Sequence, residues 1–180
     1  MQASLPGNWI NLGVDTQNRS LPEALRPGIG LRPGGERPDL EPVVVRLYLA
    51  LYASVAAHAA AGFDVMVDVG HHDFYARPLH ILPQCARLLA SLDVLFVGVH
   101  CPIETIMRRR NADPQDGFYA GGDTVPEPVQ RWQEAVHVPG IYDLEVDTGT
   151  MSAEDCAGVI AAALAEPHSA TAFARLAATS

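Results

Sequence analysis

An α/β fold in three layers, a parallel sheet flanked by helices, is the class this sequence predicts. Three apolar runs end in aspartate: Ile10-Asn11-Leu12-Gly13-Val14-Asp15, Val65-Met66-Val67-Asp68 and Leu144-Glu145-Val146-Asp147. A fourth, Val94 to Val99, has the same character and ends in His100-Cys101. Helical stretches separate these runs, which is the pattern of strands in a parallel sheet buried on both faces.

The elements follow in order. Residues 9–14 read as a first strand and 15–25 as a short helix. Residues 26–38 hold so many glycines and prolines that regular structure is not expected there. Pro42 opens a long helix and Gly62 closes it. That helix is apolar almost all round, so burial on several sides is expected. Residues 63–69 form the second strand, with Gly70-His71-His72-Asp73 directly after it. A helix over about 78–91 leads to the third strand, 94–99. Pro102 opens a helix reaching about Arg110. Residues 111–124 carry three glycines and read as an excursion. A helix over about 126–138 holds Trp132 and His137, and the fourth strand is 142–147. Ser152-x-x-Asp155 resembles a capping box that starts one more helix. Residues 1–166 are expected to form one domain and 167–180 a frayed or helical tail.

Composition removes several function classes. The chain has 180 residues, is 48% hydrophobic and carries a formal net charge of −9. A globular protein is expected, and a nucleic-acid-binding one is not. There is no lysine, so this chain holds neither a Schiff-base lysine nor a Gly-Lys-Ser/Thr phosphate loop. Cys85, Cys101 and Cys156 are odd in number and widely spaced, which argues against a disulfide framework or a zinc ribbon. The apolar stretch 43–61 is interrupted by Arg46, Ser54 and His58, so a buried helix is expected rather than a membrane span. No signal peptide is visible, and the cytoplasm is the expected compartment.

Ligands of parallel α/β sheets sit outside the carboxyl ends of the strands. Asp15, Asp68 and Asp147 belong there and are the first candidates. Each could equally cap the segment that follows it. His71-His72-Asp73 beside Asp68 offers metal-ligand types. Adjacent histidines point apart, however, and no Glu-x-x-His helix supports them. A loop lining a substrate is the preferred reading for His71 and His72. Arg26, Arg32 and Arg37 lie in the Gly/Pro-rich loop, where Arg32 could hold an anionic substrate group.

Leu5-Pro6-Gly7-Asn8-Trp9 through Gly13-Val14-Asp15, Val67-Asp68, the run 92–101 and Tyr142-Asp143-Leu144-Glu145-Val146-Asp147-Thr148 resemble the chloramphenicol phosphotransferase family. The resemblance implies a P-loop NTPase/kinase-like domain that moves a phosphoryl group from ATP, with Mg2+, to a hydroxyl of a small molecule. It makes Asp15 the general base, a role a carboxylate near a hydroxyl can fill. It places Arg109 in the lid with Arg108 beside it, Asp68 on the magnesium or substrate side, and Asp147 and Thr148 at the nucleotide turn. The family begins with a strand and a Gly-rich phosphate loop that the resemblance does not reach. The expectation is therefore a truncated gene start and a sheet without its central strand, which would lie between the strands ending at Asp68 and His100. Such a vacancy would leave a gap or force its neighbours to pair. A homo-oligomer stays open. Two alternatives stand beside this reading: a non-catalytic or regulatory domain without nucleotide binding, and a metal-dependent hydrolase around Asp68, His71, His72 and Asp73.

Overall fold

The computed structural model describes residues 5–26, 38–113, 122–166 and 171–179. Among the described residues, four strands and seven α-helices follow in the order β1 (Trp9–Gly13), α1 (Val14–Ser20), α2 (Glu41–Ala60), β2 (Asp64–Asp68), α3 (Ile81–Leu88), β3 (Val97–His100), α4 (Ile103–Ala112), α5 (Glu127–Ala135), β4 (Leu144–Asp147), α6 (Ala153–Ala165) and α7 (Ala172–Ala177). Two 3-10 turns, Glu23–Leu25 and Pro38–Leu40, fall between α1 and α2.

The strands do not form one sheet. β1 pairs in parallel with β2, and β3 in parallel with β4. Among the described residues no ladder joins the two pairs. Both pairs still feed one apolar cluster. Leu12, Val65 and Val67 reach it from the first pair, and Val94 and Phe96 reach it from the run entering β3. Its centre is built from Leu51, Tyr52 and Val55 of α2, Ile81, Cys85 and Ala86 of α3, and Phe173 and Leu176 of α7. A smaller cluster, Val146, Cys156 and Ile160, takes Leu95 and Val97. Successive residues of an extended chain point to opposite faces. Phe96 in one cluster and its two neighbours in the other therefore place helices on both faces of the β3–β4 pair.

The β1–β2 pair departs from the expected double burial. Leu12 and Val67 are register partners facing the main cluster, whereas Asn11 and Asp64 are exposed. Polar residues at alternate positions are the mark of a one-sided sheet. Val99, in β3, is 53% exposed, because its side of a short two-stranded pair is only partly covered. The three-layer expectation thus holds around β3–β4 and is incomplete around β1–β2.

Element boundaries shift for identifiable reasons. β3 starts at Val97 rather than residue 94, because the Asp143 carboxylate takes the Phe96 N–H at 3.0 Å in place of a strand. α3 starts at Ile81, after His80 adopts a left-handed φ of 49°. Asp73 Oδ1 accepts the Leu79 and His80 N–H groups at 2.7 and 2.9 Å and so holds that turn. α2 ends where expected: the Ala61 N–H bonds to the Ala57 carbonyl, and Gly62 follows at φ +86°, which costs glycine no steric penalty. Ser152 caps the helix, its Oγ accepting the Asp155 N–H at 3.0 Å and donating to Asp155 Oδ2 at 2.8 Å. α2 is 20 residues long and apolar enough to cross a membrane by composition. Its Val44, Leu51, Tyr52 and Val55 are buried against the rest of the chain, as expected of a core helix.

The segment read as a tail carries α7, docked on α3 with Ala172, Phe173 and Leu176 buried. The β3–β4 pair depends on a close approach at Gly98. A Cβ there would lie 2.7 Å from Tyr142 Cδ2, and the Tyr142 hydroxyl is tied to His137 at 2.8 Å, so the ring cannot swing away freely. Gly98→Ala is expected to cost about 1–3 kcal/mol by overpacking. A urea melt checks it: an unchanged midpoint would mean that Tyr142 yields.

Candidate active site

The carboxyl end of β2 is built from beneath. Tyr48 and Tyr52 sit one turn apart on the face of α2 that covers β2. The Tyr48 hydroxyl donates to the Gly70 carbonyl at 2.7 Å, and the Tyr52 hydroxyl lies 2.8 Å from His71 Nε2. His71 is only 7% exposed. Burial drives its pKa down to about 3, with His72 adding repulsion, so the ring is neutral. The structure thus places His71 in the core, where it anchors the loop, rather than on a surface that a substrate would touch. The same burial raises both tyrosines and pushes the Cys85 thiol up to about 12, leaving it inert.

His72 lies above this anchor. Its ring stacks on Tyr75 at 4.4 Å and meets the Trp132 edge at 5.2 Å. Burial lowers it to about 4, against a raising influence from Asp73. Its Nδ1 accepts the Phe74 N–H at 3.1 Å, which fixes the neutral tautomer. Asp73 is committed to the Leu79 and His80 amides and pairs with His80 at 3.1 Å. Among the described residues no group of three or more His, Cys, Asp or Glu could hold a metal ion. Of the side chains needed for a hydrolase around Asp68, those of His71, His72 and Asp73 are turned to other partners.

Asp15 and Asp68 remain open to solvent. Asp68 ends β2 opposite Gly13, and Asp15 stands two residues further on, in the first turn of α1. Both are exposed, and α1 has no side-chain cap at its start. Asp15 is therefore free of the capping role that its position allowed. Arg32 lies outside the described residues.

At β3–β4, α4 meets the turn that follows β4. Arg109 donates from Nη2 to the Thr148 carbonyl at 2.6 Å and from Nη1 to Thr148 Oγ1 at 3.2 Å. It also reaches Cys101 Sγ at 3.5 Å. Asp147 Oδ1 accepts the Gly149 N–H at 2.7 Å and shapes the turn. Arg108 reaches back along α4 to Thr105 Oγ1 at 3.3 Å. Arg109, Asp147 and Thr148 are thus brought together, whereas Arg108 points elsewhere.

A family described as chloramphenicol phosphotransferase-like protein matches residues 1–165. The chain belongs to this family. No curated protein matches it closely enough to name a relative. Membership points to a phosphotransferase of the kinase type. The family implies ATP with magnesium. Phosphates call for lysine or free arginine and clustered backbone N–H groups. The chain has no lysine, and Arg108 and Arg109 are both engaged. The two arginines expected to face the phosphates are thus turned to Thr105 and Thr148 instead.

Tyr48 and Tyr52 escaped sequence reasoning. One signal was available: a tyrosine inside an otherwise apolar helix needs a partner for its hydroxyl when buried. Nothing local marks that partner as His71, 19 residues away from Tyr52.

Proposed function

We propose that the chain carries the acceptor side of an O-phosphotransferase acting on a hydroxyl of a small molecule, with ATP and Mg2+ as donor. The observation that carries this reading is the β1–β2 register, which pairs Asp68 with Gly13, two residues before Asp15, with both aspartates exposed in a member of this family. Asp15 accepts the hydroxyl proton as the acceptor oxygen attacks, and Asp68 orients the acceptor beside it. The buried Tyr52–His71 pair and the Tyr48–Gly70 bond hold the loop behind Asp68 in place. No step is assigned to the donor phosphates.

The test is phosphotransfer from ATP to a primary-hydroxyl acceptor such as chloramphenicol, followed by phosphorus NMR. Asp15→Asn is expected to lower turnover by about 10²–10⁴-fold while acceptor affinity holds. Equal turnover in the variant would remove Asp15 as base. The engaged Arg109 and the absence of lysine favour a second reading, a domain that binds the acceptor without catalysis. Acceptor binding by calorimetry with no ATP binding and no turnover would select it.

A further inference from the structure

We propose that α5 is a bolt across the two strand pairs, held by the stacked imidazoles of His100 and His137 and released when acid charges that stack. The proposal stands apart from the phosphotransferase reading. It starts from the gap: no backbone ladder joins β1–β2 to β3–β4 among the described residues. The α5 region touches both. Trp132 covers Gly70, whose added Cβ would lie 3.0 Å from the indole, and it meets His72, both in the loop that follows β2. Gln133 Nε2 donates to the Cys101 carbonyl at 3.0 Å, just past β3. Two residues beyond α5, His137 stacks on His100 of β3 with ring centroids 4.0 Å apart and planes 25° apart.

Two imidazolium rings at this separation would repel, so the stack tolerates one proton more readily than two. The groups facing it are known from each side. Glu145 of β4 lies 2.7 Å from His100 Nε2 and can balance one positive charge. The Tyr142 hydroxyl lies 2.8 Å from His137 Nδ1. From α4, the other helix that touches α5, Arg109 is turned to Thr148 and Cys101 and Arg108 to Thr105. On α5 itself, Glu127 pairs with Arg131 and Glu134 bonds Gln130. Among the described residues, Glu145 is also the carboxylate that acts on His137. Burial first, and then His100, hold the His137 pKa below its ordinary value, while Glu145 opposes them. The sign follows: a neutral His137 is favoured only while α5 is docked. Docking is strongest above the ordinary imidazole value of about 6.5 and weakens as pH falls through it. Release would uncover Gly70, His72 and Cys101 together, at the edge where ligands of such folds sit.

The test uses the full chain with Trp9→Phe, which leaves Trp132 as the sole tryptophan. Acrylamide quenching and far-ultraviolet circular dichroism are recorded in parallel from pH 8 to 5. The quenching constant is expected to rise about twofold or more between pH 7 and 5.5 while ellipticity holds, the mark of local rather than global opening. His137→Phe keeps a ring against His100 without a second charge and should abolish the rise. His72→Phe, which removes the other imidazole near Trp132, should retain it. NMR of the otherwise unmutated chain should show the His137 ring titrating over the same range. That titration decides the matter if His137→Phe does not fold. Quenching that rises only as ellipticity falls would overturn the proposal. So would a rise surviving in His137→Phe, or a His137 titration outside the opening range.

Discussion

Lowering the pH from 7.5 to 5 is expected to remove roughly 3–4 kcal/mol of folding stability, through His71 and His72. Burial holds these rings neutral in the folded chain, with values near 3 and 4. Unfolded, each takes a proton near 6.5. Between those limits the unfolded state binds more protons, so stability falls as pH falls. Every unit below 6.5 costs about 1.4 kcal/mol per ring, and His72, nearer the surface, gives the smaller share. The formal charge of −9 shrinks in acid and relieves some repulsion. At 0.15 M salt that relief is screened beyond about 8 Å and does not reverse the trend. Urea midpoints at the two pH values measure the effect. His71→Gln, which keeps a polar group near Tyr52 but does not titrate, should be less stable at pH 7.5 and flatter with pH. An equal pH slope in that variant would show that His71 is not the sensor.

The second large effect is expected at Asp143. One oxygen accepts the Thr171 and Ala172 N–H groups at 2.8 and 2.9 Å, and the other accepts the Phe96 N–H at 3.0 Å. A single carboxylate thus starts α7 and fixes the entry to β3. Bonds to a charged acceptor contribute about 1.5–3 kcal/mol each, and half-exposed amides recover part of that from water. Asp143→Ala is expected to cost about 3–5 kcal/mol in a denaturant melt, and Asp143→Asn clearly less. Hydrogen exchange should show α7 losing protection first, because Phe173 and Leu176 stay buried only while the helix is docked. Loss spread evenly over the chain would contradict the clamp.

These two sites mark where the sequence was legible and where it was not. Val/Ile/Leu runs located all four strands, because a buried strand must be apolar over several residues. Pro42, Gly62 and Ser152-x-x-Asp155 located helix ends, because capping is local chemistry. The division into two strand pairs was not legible, since pairing is not encoded in any one run. Asn11 and Asp64 were the available sign that β1–β2 is covered on one face. For the candidate site, the aspartates at strand ends were legible as positions. The placement of His71 in the core was not, since it depends on hydroxyls from a helix earlier in the chain. Likewise Phe173 and Leu176 sit in an Ala/Ser/Thr-rich stretch whose composition hides a core helix.

The docking of α7 on α3 also bears on how the chain is made. α2 and α3 are synthesised well before α7, by on the order of ten seconds at usual elongation rates. Throughout that interval Tyr52 and Phe96 lack the aromatic ring of Phe173, their neighbour in the finished core. The nascent chain must therefore shield an unfinished apolar surface, and closing that core is a late event of biosynthesis.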